Sequence, residues 1–504
     1  MINRTRNARL NVFVSLSSYF IQLLLSMIVR IFFIKKIGTD YLGLNGVLLN
    51  TISMVSVVDL GLDTIFVFAL FKPLRENDKE SIKSILRLYR NTFRSIAATI
   101  FFLGVCSTYF LPDILGRKGM ELQYVYLIFY IYLINSVLSY LMSYYRAILT
   151  ANQKGYIVNG VTSGSLILVG ALQLLGLIVF ANPVLYVFTL LVGTVLMNFI
   201  IMLITVKQYP YLREKSVQRL ERGLKMEIFK NSIGGFSGKV GRIVVSGSDN
   251  ILLSIFTSLS TVGVYSNYVV LTIAVQAIVQ KVSVSLMPSV GHLGVEKNYK
   301  KNLDIFLEIT FILFTIISLG YGIFVAMLHQ FMIFWVGSKY VFPIITEILI
   351  AVVMVLQLVR VPFGIYIDAF GLQWIQRWKS VIEAIANLVF SLSLIHFFHL
   401  GVNGILIGTI LSTILTGLWI EPLIIYKFPL NRNFKGVGIL FTQFGLILFL
   451  QTIFAWYINN KIFTSNLIDI VIIFFGSLIF WIILMIIIFS KSIYLKKVKT
   501  RIFM

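Results

Sequence analysis

The sequence has little charge for its length. Asp, Glu, Lys and Arg make up 12% of its 504 residues, whereas a soluble domain has about 25%. Hydrophobic residues make up 58%, and the mean hydropathy is +0.91. So little charge cannot cover the surface of a soluble protein, and so much apolar surface excludes intrinsic disorder. With one cysteine, Cys106, the chain also has no internal disulfide.

Motifs of nucleotide chemistry are absent as well. The sequence contains no G-x-x-x-x-G-K-[ST] and no G-x-G-x-x-G that follows a strand. Ser248-Asp249-Asn250 resembles one β-lactamase element, but no K-T-G accompanies it. These absences predict that the protein is not an enzyme and favour an energy-coupled carrier.

Fourteen apolar runs are long enough for membrane helices, each of which needs about 20 residues. They lie near 12–34, 41–71, 93–112, 123–147, 157–181, 183–206, 231–256, 260–288, 303–335, 343–370, 379–399, 401–426, 436–457 and 467–489. No A-x-A-like cleavage site follows the first run, so it predicts a retained helix rather than a signal peptide. The expected fold is an all-α integral membrane protein.

The distribution of Lys and Arg predicts the orientation. With the N-terminus inside, the inside segments hold 33 of these residues, the outside loops hold six, and four lie within predicted helices. Because Lys and Arg collect in cytoplasmic loops, both termini are predicted to be cytoplasmic. The net charge of +23 therefore reflects topology, and no nucleic-acid partner is expected. All predicted outside loops are short, which disfavours a membrane polymerase or glycosyltransferase.

An internal repeat with an offset of about 220 residues predicts the domain organisation. Tyr41-Leu42-Gly43-Leu44 aligns with Thr261-Val262-Gly263-Val264, and Gln153 aligns with Gln373. We predict two six-helix lobes related by a parallel repeat, a linker, and two further helices with a basic tail. Their ranges are 1–206 and 231–426 for the lobes, 207–230 for the linker and 427–504 for the C-terminal part.

The strongest charged group within a predicted span is in the seventh. Lys239, Arg242, Ser246 and Asp249 are spaced by 3, 4 and 3 residues, which places them on one helical face. Arg242 is expected roughly 16 Å from the cytoplasmic start, near the bilayer midplane. We predict that Lys239 and Arg242 bind an anion. The alternative is that Lys239 and Asp249 extend to opposite membrane surfaces.

Two more arginines are candidates for anion binding. Arg360 lies within the tenth span, one turn from Gln357 and beside Pro362, which predicts a kink. Arg30 lies near the outer end of the first span. Either side chain could instead reach an interface by snorkelling. A cavity lined by such cations would favour an anion and repel a cationic drug.

Polar residues in two other spans are candidates for ion coupling. Asp59 lies in the second span, and Glu383 and Asn387 share a face of the eleventh. His396 and His399 have no Cys or carboxylate close in sequence, so no metal site is expected.

Several motifs resemble those of a known family, the polysaccharide repeat-unit flippases. The motifs are Gly38-Thr39-Asp40-Tyr41-Leu42-Gly43-Leu44, Val58-Asp59-Leu60-Gly61-Leu62, Ser248-Asp249-Asn250, Val262-Gly263-Val264-Tyr265-Ser266-Asn267-Tyr268, Phe334-Trp335-Val336-Gly337, Asp368-Ala369-Phe370-Gly371, Asn387 and Gly408-Thr409. They are similar to Wzx-type members of the multidrug/oligosaccharidyl-lipid/polysaccharide exporter (MOP) superfamily.

The resemblance implies a V-shaped fold of two lobes and a specific transport activity. Such a flippase moves undecaprenyl-pyrophosphate-linked oligosaccharide to the outer leaflet of the bacterial cytoplasmic membrane, for exopolysaccharide or related synthesis. Its cationic lumen would correspond to Lys239, Arg242, Arg30 and Arg360. By analogy with lipid II flippases, Asp249, Glu383, Asn387 and Thr409 are candidates for an ion site.

The resemblance leaves the coupling ion and the exact cargo open. Na⁺ or H⁺ is the possible coupling ion, and no other cofactor is expected. Membrane lipids are expected partners, and polysaccharide polymerase or assembly proteins are candidate partners. The alternatives are a flippase for teichoic or teichuronic acid units or lipid II, and a MATE-like cation or drug antiporter.

Overall fold

The computed structural model describes residues 2–56, 62–152, 154–214, 248–296, 299–372, 375–431, 436–461 and 466–490. Every regular element in these ranges is helical. The chain divides into two compact units, unit 1 (Met1–Gly263) and unit 2 (Val264–Met504). The boundaries predicted for the lobes and the linker stay a prediction, because most of 207–247 lies outside these ranges.

Unit 1 contains eleven helical segments in its described part. They are α1 (Ile2–Lys36), α2 (Thr39–Val55), α3 (Leu62–Ala69), α4 (Phe71–Glu76), α5 (Lys79–Ser107), α6 (Leu111–Met120), α7 (Val125–Met142), α8 (Tyr144–Ala151), α9 (Gly155–Val179), α10 (Pro183–Gln208) and α11 (248–256). Short 3₁₀ turns follow α5 and α10.

Unit 2 begins inside the next helix, whose first five residues, 259–263, belong to unit 1 and make the contacts with α2 described below. Its helices are α12 (Leu259–Glu296), α13 (Tyr299–Val336), α14 (Ile344–Val359), α15 (Val361–Ala369), α16 (Arg377–Phe398), α17 (Val402–Leu415), α18 (Gly417–Lys427), α19 (Val437–Lys461) and α20 (Leu467–Phe489).

Eleven helical spans in the described ranges are long and apolar enough to cross a membrane. The chain is therefore a multi-pass membrane protein with an all-α fold, as predicted. The first two predicted spans fall on α1 and α2 with α3, whereas most of the seventh, 231–256, lies outside the described ranges. The total of fourteen spans stays a prediction.

Polar side chains satisfy the first amides of two long helices. The Asp78 carboxylate accepts a hydrogen bond from the Ser81 amide at 3.0 Å and caps α5. The Asn182 side chain accepts from the amides of Val184 and Leu185 at the start of α10. Each cap satisfies amides that have no partner within the helix. The segment 79–92, predicted as part of a basic loop, is therefore the first half of α5.

Helix starts in the two halves of the chain recur at nearly one offset. Thr39 and Leu259 begin α2 and α12, 220 residues apart, and Lys79 and Tyr299 begin α5 and α13 at the same offset. The later pairs of starts are Val125 with Ile344 and Pro183 with Val402, each separated by 219 residues. The repeat inferred from scattered residues therefore coincides with a repeat of helices.

Two glycines of this repeat bring α2 against the start of α12. A Cβ on Gly43 would overlap the carbonyl oxygen of Leu259, and one on Gly263 would overlap that of Thr39. Each added Cβ would also lie 3.1 Å from the backbone nitrogen of the other glycine. The hydroxyls of Thr39 and Ser260 are 3.0 Å apart at the same crossing. Only glycine allows the two backbones to approach so closely.

The last two helices belong to the core of unit 2. Gln451 on α19 donates to the Ser318 carbonyl oxygen of α13 at 3.0 Å, and Trp481 on α20 donates to the Ser318 hydroxyl at 3.0 Å. Further along α19, Asn459 donates to the Ala326 carbonyl oxygen at 3.1 Å. Buried polar bonds of this kind fix the register of packed membrane helices.

Candidate functional site

Two interrupted helices bracket a group of charges in unit 2. Arg360 lies between α14 and α15, and Thr416 lies between α17 and α18. Pro362 has no N–H to donate to the carbonyl four residues earlier, which explains the first interruption and confirms the expected kink. At the second, a Cβ on Gly417 would lie 2.7 Å from Cζ of Arg360. Glycine therefore makes room for the guanidinium against the backbone.

The Arg360 guanidinium binds two carboxylates at once. Its Nη1 and Nη2 donate to the two oxygens of Glu383 at 2.7 and 3.2 Å. Its Nη2 also donates to Glu421 Oε1 at 2.6 Å, and its Nε lies 3.1 and 3.2 Å from the two oxygens of Glu421. Such forked, charge-assisted bonds are the strongest that an arginine makes with carboxylates.

Lys379 completes the group as a second cation. Its Nζ donates to Glu421 Oε1 and lies 3.6 Å from Glu383 Oε2. Lys379, Glu383 and Glu421 are buried, and the Arg360 side chain is only 18% exposed. We call these four residues the unit 2 network. It balances two positive charges with two negative ones, which is the condition under which buried charges are tolerated.

Polar atoms one turn further along α16 face α17. Asn387 Nδ2 donates to the Thr409 hydroxyl at 2.8 Å, and Thr409 in turn donates to the Ile405 carbonyl. The Asn387 Oδ1 and the Ser391 hydroxyl are buried without a hydrogen-bond partner in the described ranges. A buried oxygen left in this way is available to a cation or a water.

The candidate residues of the sequence analysis have different surroundings. Glu383, Asn387 and Thr409 lie together on α16 and α17. Arg360 is bound by carboxylates, so its role in binding an anionic substrate stays a prediction. Lys379 and Glu421 were missed because each lies close to the end of a predicted span, where charge is unremarkable. The signal that could have found Glu421 is that it precedes a proline within an apolar helix.

The remaining candidates belong to unit 1. Arg30 lies half-buried on α1, within electrostatic range of Tyr186. Asp249 lies on α11, and its Oδ1 is buried without a hydrogen-bond partner among the residues described. Lys239, Arg242 and Asp59 lie outside the described residues, and their roles stay predictions.

Solved structures with the same fold are transporters. A structure titled "Lipid II flippase MurJ, inward closed conformation" has a TM-score of 0.71 at 15% identity and covers 96% of this chain and 100% of its own. An inward-facing multidrug resistance MATE family transporter of the MOP superfamily has a TM-score of 0.63 at 16% identity, covering 82% of this chain and 98% of its own.

An outward-facing transporter of the same MATE family has a TM-score of 0.59 at 15% identity, and it covers 84% of this chain and 96% of its own. No family model and no curated sequence matches the chain. The chain therefore has the fold of MOP superfamily transporters.

Proposed function

We propose that the protein is a flippase for polyprenyl-pyrophosphate-linked oligosaccharide. It moves the repeat unit from the inner to the outer leaflet of the bacterial cytoplasmic membrane by ion-coupled alternating access. The pyrophosphate carries the charge that must cross about 30 Å of hydrocarbon, while the polyprenyl tail stays in lipid. Both termini are cytoplasmic in this proposal.

The state of the buried carboxylates in the unit 2 network carries the proposal. A carrier of cationic drugs needs a carboxylate that is free to bind the cationic cargo. Glu383 and Glu421 each contact both Arg360 and Lys379. They are therefore unavailable to a cation unless the network opens, which favours an anionic cargo over a cationic one.

The extent of the structural likeness supports the same conclusion. The lipid II flippase covers 96% of the chain, and the inward-facing multidrug transporter covers 82%. The polar contacts of α19 and α20 with α13 make these two helices part of the fold rather than an appendage. A flippase for lipid II or for teichoic or teichuronic acid units is the nearest alternative, since its cargo shares the same phosphate chemistry.

The coupling ion is proposed to bind near Asn387 and Thr409. The unpartnered Asn387 Oδ1 and Ser391 hydroxyl supply two of the oxygens that Na⁺ prefers. Glu383, one turn from Asn387, would link ion occupancy to the unit 2 network. Asp249 and Asp59 of unit 1 are separate candidates for ion coupling. Proton coupling through these carboxylates is the alternative.

Transport by the purified protein in liposomes tests the proposal. A fluorescent polyprenyl-pyrophosphate oligosaccharide is placed in one leaflet, and its appearance in the other is followed by quenching with an impermeant reagent. We expect protein-dependent movement that an imposed Na⁺ or H⁺ gradient accelerates. Liposomes without protein supply the baseline.

A parallel assay with a cationic dye separates the two classes of transporter. Dye accumulation without movement of the lipid-linked oligosaccharide would overturn the flippase proposal and favour the cation antiporter. Movement of lipid II, but not of other saccharides, would reassign the cargo within the flippase class.

A further inference from the structure

Unit 1 contains a second interrupted helix with an arginine. Ser143 separates α7 from α8, and Arg146 follows it on α8. The helix pairs α7–α8 and α14–α15 correspond in the repeat, since Val125 and Ile344 are 219 residues apart and Tyr144 and Val361 are 217 apart. At that offset the interruption at Ser143 corresponds to the one at Arg360, and Arg146 lies about one turn further along, on α8.

The partner of Arg146 on the neighbouring helix is neutral. Its Nη2 donates to Asn198 Oδ1 on α10 at 2.7 Å and lies 3.7 Å from the sulfur of Met197. The only carboxylate that acts on it electrostatically in the described part of the chain is Asp63, on α3. Asp63 is exposed and accepts a hydrogen bond from the hydroxyl of the buried Tyr89.

Arg90 adds a second cation beside this group. It follows Tyr89 on α5 and interacts with the hydroxyl of Tyr144, two residues before Arg146. The Nε atoms of Arg90 and Arg146 are both buried and have no hydrogen-bond partner among the described residues. Each guanidinium thus retains a donor that the protein does not use there, and buried donors are rarely left so.

The charge of this group differs from that of the unit 2 network. Arg90 and Arg146 carry two positive charges and Asp63 carries one negative charge. We call these three residues the unit 1 cluster. An excess of positive charge with unused guanidinium donors is suited to a phosphate group, which arginine binds through parallel N–H bonds.

We propose that Arg90 and Arg146 form a binding site for the phosphate groups of a pyrophosphate. This inference rests on the proposed function and names the place in unit 1 where the charged part of the cargo binds. Tyr89 holds Asp63 within electrostatic range of Arg146. A pyrophosphate competes with Asp63 for Arg146, because it brings more negative charge and more acceptor oxygens to the guanidinium donors.

The affinity of the purified protein for pyrophosphate tests the site. Inorganic pyrophosphate and a short-chain polyprenyl pyrophosphate are titrated separately and followed by thermophoresis. We expect Arg146→Gln and Arg90→Gln each to weaken binding of both ligands about 10- to 100-fold. Arg94→Gln is the matched control, since Arg94 lies exposed one turn beyond Arg90 on α5 and its loss removes the same charge. We expect the control to stay within about twofold of the wild type.

Two further variants keep the test decisive if a glutamine variant folds poorly. Arg146→Lys keeps the charge but not the fork, so it should restore part of the affinity. Asp63→Asn removes the competing carboxylate and should strengthen binding about 3- to 10-fold. A merely structural role for Arg146 gives no reason for Asp63→Asn to increase affinity.

The outcomes separate this inference from the proposed function. Equal affinities for Arg146→Gln, Arg94→Gln and the wild type would overturn the site, even if the wild type moves lipid-linked oligosaccharide. Loss of binding in Arg146→Gln would support the site, even if the wild type moves no such lipid. Tighter binding of the polyprenyl form supports a lipid ligand, whereas binding of inorganic pyrophosphate alone would overturn the lipid assignment.

Discussion

Each unit has an arginine at a corresponding helix interruption or about one turn after it, and the two arginines have partners of opposite kinds. In unit 2, Arg360 is bound by Glu383 and Glu421. In unit 1, Arg146 donates to the neutral Asn198. The two arginines therefore differ in position by about one helical turn and, more importantly, in their counter-ions. A balanced network holds helices together, whereas an unbalanced cluster remains able to take up an anion.

Removing a carboxylate from the unit 2 network should have the largest effect on stability. Glu421→Gln leaves Arg360 and Lys379 buried with a single carboxylate. Because an uncompensated buried charge is costly, we expect a loss of about 3–5 kcal/mol of stability. The measurement is thermal unfolding of the purified protein in detergent.

The exposed Glu76 supplies the control for this loss. Glu76→Gln removes the same charge and should unfold as the wild type does. Unfolding of Glu421→Gln at the wild-type temperature would contradict the structural role of the unit 2 network.

Adding a methyl group where the repeated helices cross should have the next largest effect. Gly43→Ala and Gly263→Ala each place a Cβ onto a backbone carbonyl of the other helix, which cannot move independently. We expect each to cost about 1–3 kcal/mol, as overpacking does. Thermal unfolding again provides the measurement.

Two glycines of α9 are controls for the close approach of α2 and α12. Gly160 and Gly164 have open space where a Cβ would be, so alanine there should leave stability unchanged or raise it slightly. Similar unfolding temperatures for Gly43→Ala and Gly164→Ala would contradict the close approach of α2 and α12.

A carboxylate placed beside Arg146, like those that bind Arg360, should weaken the binding of anions to Arg146. Asn198→Asp keeps the shape of the side chain and places a carboxylate at the hydrogen bond of 2.7 Å. We expect affinity for inorganic pyrophosphate to fall about tenfold, while the folded protein is retained. Thermophoresis reports the affinity.

The same change in the turn between α4 and α5 is the comparison for Asn198→Asp. Asn77→Asp adds one negative charge at an exposed residue of the same unit and should change affinity little, since solvent screens it. An unchanged affinity in Asn198→Asp would show that the charge of Arg146 does not bind the anion.

An ion pair of unit 1 whose carboxylate is exposed should have the smallest effect. Glu214 accepts a hydrogen bond from Lys83 at 2.8 Å, and this bond lowers the pKa of the Glu214 carboxyl. Because its pKa is lowered by folding, the pair stabilises the protein at neutral pH and is lost as the pH falls through that pKa. The carboxylate is exposed, so solvent screens most of the gain.

Unfolding temperatures measured at a series of pH values should show the contribution of this ion pair. Glu214→Gln should lower the unfolding temperature slightly at neutral pH and not at an acidic pH below the lowered pKa of the wild-type carboxyl, where the ion pair is already lost. Glu121→Gln, on an exposed residue of the same unit, provides the reference. An equal effect of Glu214→Gln at both pH values would contradict the ion pair.

The sequence was sufficient for the fold class because its signal is strong and local. Long apolar runs with little charge predict membrane helices, and motifs repeated near an offset of 220 anticipate the matching starts of α2 and α12. Hydropathy also located Arg360 and Glu383, because a charge within an apolar run is conspicuous.

The partners of those charges required the three-dimensional structure. Arg90 and Arg146 were counted as residues of cytoplasmic loops, since each lies at the edge of an apolar run. Only the packing of α5, α8 and α10 brings Arg90 to the hydroxyl of Tyr144 and Arg146 to the side chain of Asn198. The pairing of Arg360 with Glu421 likewise joins two residues that are 61 positions apart in the chain. No local sequence pattern predicts such a contact.

The most direct test of the central claim compares two cargoes that differ only in charge. The same fluorescent oligosaccharide is attached to polyprenyl pyrophosphate or, through an uncharged linkage, to polyprenol, and each lipid is incorporated into liposomes with the purified protein. If the protein is a flippase that binds the pyrophosphate, only the charged lipid will move at a rate above that of empty liposomes. Equal protein-dependent movement of both lipids would contradict the claim.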